Sequence, residues 1–277
     1  MTNCRIVSEY APTRVGDVLV SAEGPVVTAT IDRPEKRNAI NFEVIDGLSA
    51  AIATTVERQA SVLLLRGSGG TFSAGADLNL VRSTLGDDQG LTHFLARLSE
   101  VCDALAKGPF VSVAVVTGYA LAGGCELLLA CDLAVASDDA QIGDRHLQNS
   151  LLPGAGGSTR LFRAITPARA RRLFFTAEMI SGRLAEEWGL VSASCPSDRL
   201  EATVADLVSQ IAAKSPAALR AMKEMTVAAE TSSMAGALAE ERRIFLDYAA
   251  GSEHVRSALS AFLGGAATPS RESGSTS

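Results

Sequence analysis

The chain lacks the features that would tie it to a bilayer, to nucleic acid or to an oxidising compartment. No uninterrupted apolar run reaches the roughly 20 residues that span a membrane. The stretch from Met1 to Val7 has no sustained apolar segment of the kind that makes a secretory signal. Positive charge is scarce: 25 Lys and Arg stand against 31 Asp and Glu, a formal net charge of −6. That balance argues against nucleic acid as the main partner, because phosphate binding needs a basic face. The five cysteines are odd in number and show no metal-ligand spacing. Cys102, Cys125 and Cys131 lie in apolar surroundings and read as small core residues in a reducing compartment. A soluble, cytoplasmic chain with no metal site is expected.

Apolar residues, by contrast, are plentiful. With 47% of 277 residues hydrophobic and 20% charged, the chain can bury a large core, as one large domain or one plus a helical appendage. The most informative stretch runs from Val115 to Cys131. Phe110 to Val116 is a β-branched run without charge, as a strand covered on both faces requires. Gly118, Ala120, Ala122, Gly123 and Gly124 follow, small enough for backbone to approach backbone or a ligand. An apolar helix opening on Gly123 and Gly124 would aim its first unbonded N–H groups into that gap. A carbonyl oxygen gaining negative charge there would meet donors and the positive end of a helix dipole. Glu126 stands in the first turn, where it either caps the helix or takes a proton from a bound molecule.

A second stretch, Gly70 to Leu78, follows the apolar strand Val62 to Arg66 and again presents bare amides, around Ala76. Two amides from two loops aimed at one oxygen make an oxyanion hole, suited to enolates and tetrahedral adducts. Each loop alone is a weak signal, since glycine turns after buried strands are common. Together they resemble the crotonase superfamily, the enoyl-CoA hydratase/isomerase family. Five pieces stand in that family's order: Asp32 to Ala39 (DRPEKRNA), Phe72 to Leu78 (FSAGADL), Gly118 to Leu127 (GYALAGGCEL), Cys131 to Leu133 (CDL) and Leu152 to Gly157 (LPGAGG). The resemblance covers about Val18 to about Phe262.

What the resemblance implies is an α/β protein with a crotonase-type ββα spiral core and a C-terminal helical oligomerisation region. The expected division is an N-terminal arm over 1–16, the spiral core with acyl-CoA binding and catalysis over 17–200, a helical trimerisation region over 201–263 and a disordered tail over 264–277. The resemblance makes Ala76 and Gly123 the oxyanion-hole residues and Glu126 a proton-transfer group. It places Lys36, Arg37, Ala39, Ala74, Asp77 and Leu78 along the substrate and its CoA. It implies an acyl-CoA substrate, no cofactor beyond the CoA that enters with the substrate, and a homotrimer or dimer of trimers. The apolar positions Ile244, Phe245, Leu246, Leu259 and Phe262 agree with burial by a partner.

Along the chain, Val18 to Val20 and Val26 to Ile31 read as a hairpin around the Glu23-Gly-Pro25 turn. Asn41 begins a helix to about Glu57, with Phe42, Ile45, Leu48 and Ile52 on its apolar face. Ser83 to Gly90 reads as a mobile surface segment, and His93 beyond it as a partly buried surface histidine. Ser181 to Gly189 looks like a capped helix ended by glycine, with Trp188 as a packing residue. Ser215-Pro216 supplies an N-cap and a proline for a further helix.

The chain departs from the hydratase pattern at His146, which stands where the resemblance places a second glutamate. Two readings stand side by side: polar lining without chemistry, or an imidazole replacing the second carboxyl, since histidine exchanges protons near neutral pH. Two neighbouring carboxylates disfavour double ionisation, whereas a Glu–His pair favours carboxylate with imidazolium. Asp144 and Arg145 are close enough in sequence to tune His146 in either direction. A second departure is C-terminal: a basic residue reaching a neighbour's CoA would fall near Gly264-Gly265, with Arg271 the next basic residue beyond. The expected activity is hydration of an α,β-unsaturated acyl-CoA. Double-bond isomerisation, hydrolytic carbon–carbon cleavage of a 3-oxoacyl or β-diketone substrate, and acyl-CoA binding without catalysis are the alternatives.

Overall fold

In the computed structural model, residues 12–86, 88–251 and 253–264 are described. The chain resolves into two compact units, 1–223 and 224–277. The first is built on a seven-stranded sheet whose spatial order is β1-β2-β3-β4-β5-β7-β10. Its strands are β1 (Thr13–Val15), β2 (Val18–Glu23), β3 (Val26–Ile31), β4 (Val62–Gly67), β5 (Val111–Val116), β7 (Leu133–Ser137) and β10 (Ala193–Cys195). The hairpin β1-β2-β3 is antiparallel, and every pairing from β3 onward is parallel. A second sheet of three short strands pairs β6 (Tyr119–Leu121) parallel to β8 (Gln141–Gly143), with β9 (Ile180–Ser181) antiparallel on the outside. Ser73 extends it through a bridge to Ala120. Successive strands thus leave the large sheet for the small one before a helix returns the chain, which is the ββα spiral.

Parallel strands cannot be joined by tight turns, so helices fill the crossovers. They are α1 (Phe42–Glu57), α2 (Leu78–Thr84), α3 (Asp88–Lys107), α4 (Gly123–Ala130) and α7 (Gly182–Trp188); α5 (Gly157–Ala164) and α6 (Pro167–Thr176) link β8 to β9, and α8 (Leu200–Ala212) and α9 (Pro216–Thr231) follow the last strand. Alternate residues of the central strands feed two cores, as a period of two dictates. Leu63, Leu65, Ala114, Val116, Ala134 and Ala136 face the larger core, shared with Val44, Ile45 and Leu48 of α1 and with Phe94 and Leu98 of α3. Val62, Leu64, Val113, Val115 and Val135 face the other side, where Leu200, Val204 and Val208 of α8 cover them. Because α8 belongs to this packing, the first unit runs past the boundary near residue 200 expected from the sequence.

The capping chemistry matches its residues. Asn41 accepts from the Val44 amide at 2.9 Å and Ser181 from the Leu184 amide at 3.1 Å. Gly189 ends α7 in the left-handed region, at φ 79°. Other expectations change. Thr13–Val15 form an edge strand on β2 rather than a loose arm, because their backbone completes the hairpin's free edge; residues 1–11 lie outside the described residues. Of the segment 83–90, expected to be a mobile surface stretch, residues 83–84 close α2 and residues 88–90 open α3. His93 is exposed, its ring 5.4 Å from that of Phe42. Trp188 packs against two guanidinium groups, Arg169 and Arg172, at 5.1 and 5.9 Å from its ring centre.

The second unit holds α10 (Met234–Gly251) and α11 (Glu253–Gly264). Phe245, Leu246 and Leu259 are exposed there, whereas Ile244 is buried. The Phe262 side chain, the tail beyond Gly264 and Arg271 lie outside the described residues. Among the described residues no helix is long and apolar enough to cross a membrane.

A buried ion pair ties Lys223, at the end of the part of α9 that belongs to the first unit, into that unit's core. Lys223 is 6% exposed, and its ammonium donates to the carbonyls of Leu105 (2.7 Å) and Phe110 (2.8 Å) and to Asp132 Oδ2 (2.8 Å). Asp132 also accepts from the Ser112 amide at 2.7 Å. Cys102 and Cys125 are buried, and burial pushes the Cys102 thiol up to about 12, in keeping with small core residues rather than nucleophiles.

Candidate active site

Two turns meet at the junction of the two sheets. The turn after β4 carries Ser73 to Asp77, and the turn after β6 carries Ala122 and Gly123. They touch: a Cβ added to Gly123 would lie 3.2 Å from the Ala76 nitrogen, and one added to Gly75 would lie 3.1 Å from the Gly123 nitrogen. Glycine is required next door too, since a Cβ on Gly124 would fall 2.3 Å from the Ser73 carbonyl oxygen. Ala76 bridges Ile40 in parallel fashion, and the bonds of that bridge use the Gly75 carbonyl and the Asp77 amide. The Ala76 N–H therefore faces away from Ile40. Gly123 is the first residue of α4, so its N–H has no carbonyl four residues back within the helix. Ala122 adopts φ 48° and ψ −117° to turn the chain into that helix, a strained conformation for a residue with a side chain.

A third strand of chain fixes the first turn. Asn38, fully buried at φ 55°, donates through its side-chain amide to the carbonyls of Ser68 (2.9 Å) and Thr71 (2.5 Å). Its own carbonyl accepts from the Ser73 hydroxyl at 2.8 Å. Asparagine tolerates the left-handed region better than most residues with a side chain. The Ala74 amide donates to the Arg37 carbonyl at 3.0 Å, so the loop 33–39 and the loop 71–77 are laced together.

The three basic residues of that first loop divide. Arg33 points inward, with Nε 2.9 Å from Asp17 Oδ2, Nη2 3.2 Å from Asp77 Oδ2, and Nη1 bonded to the Ala39 carbonyl at 2.6 Å. Lys36 and Arg37 are exposed, and the Arg37 guanidinium sits 5.7 Å from the centre of the Tyr119 ring. Asp77 is occupied twice, by Arg33 and as the N-cap of α2, where it accepts from the Asn79 amide at 3.0 Å. Burial alone would push its carboxyl up; the Asn79 amide and the Arg33 guanidinium outweigh that and hold it below the ordinary carboxylate range. Leu78, next to it, is 54% exposed.

Glu126, 2% exposed, does not cap its own helix. Its Oε1 reaches across to accept from the Ala155 amide (2.7 Å) and the Gly157 amide (2.9 Å) at the start of α5. Only Oε2 remains to face the third side chain, and His146 Nε2 stands 3.9 Å from it. On the other side of the ring, His146 Nδ1 lies 3.1 Å from Asp144 Oδ2, and the His146 amide approaches Asp144 Oδ1 at 3.4 Å. Asp144 is itself 4% exposed. Arg145 turns away, donating to the Ala177 carbonyl at 2.7 Å. The result is a buried row, Glu126–His146–Asp144. Among the described residues no group of three or more His, Cys, Asp or Glu could hold a metal ion.

The structure thus brings Ala76 to Gly123, and Glu126 to His146. It seats Ala39, Ala74 and Asp77 in the laced loops, with Lys36, Arg37 and Leu78 on their outer side. The importance of Asn38, Arg33 and the amides of Ala155 and Gly157 emerges only in three dimensions, whereas Asp144, expected from the sequence to be close enough to tune His146, meets its ring on the Nδ1 side.

A spiral of ββα turns bearing paired bare amides and an inward glutamate defines a crotonase-type enzyme. The chain belongs to the enoyl-CoA hydratase/isomerase family, whose model matches residues 21–266. It is 34% identical over 258 residues to the 2,3-dehydroadipyl-CoA hydratase of Escherichia coli K12, covering 90% of this chain and 96% of that one. Among solved structures, an enoyl-CoA hydratase from Mycobacterium smegmatis aligns with a TM-score of 0.85 at 27% identity, covering 90% of this chain and 96% of that one. A putative enoyl-CoA hydratase from Thermobifida fusca, in complex with acetoacetyl-CoA, aligns with a TM-score of 0.78 at 29% identity, covering 88% of this chain and all of that one (100%).

Proposed function

We propose that this enzyme adds water to an α,β-unsaturated acyl-CoA. The observation that carries the reading is the facing pair, Glu126 Oε2 and His146 Nε2, 3.9 Å apart and both nearly closed to solvent. That separation exceeds a direct hydrogen bond, yet a water off the line between them can touch both. Glu126 takes a proton from that water as its oxygen bonds to Cβ. The electrons of the Cα–Cβ double bond move onto the thioester oxygen, which the Ala76 and Gly123 amides receive. His146, as imidazolium, then protonates Cα, and the thioester carbonyl re-forms. No electron leaves or enters the sum, so the reaction calls for no redox partner, and CoA enters only with the substrate. Lys36 and Arg37 are the exposed cations of the laced loops and suit the CoA phosphates.

The test is incubation with crotonyl-CoA, with a 3-enoyl-CoA and with a 3-oxoacyl-CoA. The conjugated thioester absorbance of crotonyl-CoA should fall as a product one water heavier accumulates. Isomerisation of the 3-enoyl-CoA or cleavage of the 3-oxoacyl-CoA, with crotonyl-CoA untouched, would overturn the assignment. The same reading includes assembly into trimers or dimers of trimers in a cytoplasmic setting. The exposed Phe245, Leu246 and Leu259 support it, being large apolar side chains on neighbouring helices. Light scattering should return three or six chain masses at micromolar concentration; a monomer mass would remove the assembly from the reading.

A further inference from the structure

We infer that Asp144 is a positioning residue, which keeps the proton on His146 Nδ1 and so reserves Nε2 as the single nitrogen that gives and regains the catalytic proton. This rests on the reading of His146 as the proton donor. Among the described residues the imidazole is hydrogen-bonded on its Nδ1 side, by Asp144 Oδ2 at 3.1 Å, with the His146 amide on the other carboxylate oxygen. Of the charged groups nearest the ring, Glu126 faces Nε2 from α4, Asp144 faces Nδ1, and Arg145 is engaged with the Ala177 carbonyl. A carboxylate accepts and never donates, so the nitrogen beside it carries hydrogen in both the neutral and the charged ring.

The consequence appears when the proton balance is followed through a turnover. Water attack leaves Glu126 protonated on Oε2, and protonation of Cα leaves His146 neutral. The starting state returns when one proton passes from Glu126 to His146. With Nδ1 already protonated against Asp144, the lone pair lies on Nε2, facing the Glu126 oxygen that holds that proton. With the other neutral tautomer, Nε2 would carry hydrogen already and the return would be blocked.

Two measurements test the assignment. The first is ¹⁵N NMR of histidine-labelled protein, with His146 assigned among the three histidines of the chain by the His146→Gln variant. At a pH where the ring is neutral, wild type should show hydrogen on Nδ1, and Asp144→Ala should shift the population toward Nε2–H. An Nε2–H ring in wild type, or no change in the variant, overturns the proposal whether or not the protein hydrates crotonyl-CoA. The second is a double-mutant cycle on crotonyl-CoA hydration. Asp144→Asn should lower kcat at least about tenfold, with KM held within about twofold. In the His146→Ala background the same change should cost less than about twofold, because the residue acts through the ring. Equal losses in both backgrounds would make Asp144 a structural residue and overturn its positioning role. A His146→Ala variant as fast as wild type would instead sink the proton-donor reading, leaving the NMR result to judge the tautomer.

Discussion

Glu126→Gln is expected to cut turnover at least about a hundredfold, the usual scale for losing a general base. The substitution is close to isosteric, and the side-chain carbonyl of Gln can still accept from the Ala155 and Gly157 amides. That arrangement turns the NH₂ group toward His146, replacing an acceptor with a donor at the one position that must take a proton. The fold should therefore survive while the chemistry fails. Steady-state kinetics on crotonyl-CoA, with a melting curve beside them, decide the matter. Turnover within a fewfold of wild type would remove Glu126 from the mechanism. A collapse of the melting temperature would show that the carboxylate is needed to hold the start of α5.

Lys223→Met should be the most damaging change outside the active site. Methionine can follow the apolar stem of lysine, but it leaves the Leu105 and Phe110 carbonyls and the Asp132 carboxylate without the ammonium they share. Removing one partner of a buried pair costs about 3 kcal/mol or more, because the charge left behind is poorly hydrated. For a chain of this size that corresponds to a fall in Tm of roughly 6–12 °C. Differential scanning fluorimetry measures it directly. A shift of under about 2 °C would mean that solvent reaches Asp132 well enough to replace the lysine, which its 23% exposed side chain makes the relevant alternative.

Sequence and structure agree best where a residue's role is set by its neighbours in the chain. The uncharged run Phe110 to Val116, the glycine turn into α4 and the caps at Asn41 and Ser181 are local matters, and period, size and side-chain chemistry suffice to read them. The pairing of Ala76 with Gly123 is not local; it was legible through family resemblance, and the close approach at Gly75 and Gly123 supplies the geometry. Other features depend on partners far away in sequence. Within its own helix Glu126 reads as a cap or a proton-transfer group, and the donors its Oε1 accepts from, the amides at 155 and 157, lie 29 and 31 residues on. Arg33, Lys36 and Arg37 look alike in a charged loop, but only Arg33 finds carboxylates at positions 17 and 77. Lys223 gave no signal at all, because an isolated lysine on an amphipathic helix normally faces solvent. Thr13–Val15 carry no strand signal for a related reason: an edge strand needs only a neighbour's free backbone, which composition does not record.

Asn38 carries a consequence for ligand encounter. Its hydrogen bonds to Ser68, Thr71 and Ser73 tie the amide-bearing turn to the protein's own backbone and side chains. On the proposed function, the donors at Ala76 and Gly123 need little ordering when a thioester binds, and the entropy lost on association falls chiefly on the incoming acyl chain and its pantetheine arm. Affinity for a flexible substrate is then governed by how much of its own freedom that substrate must surrender.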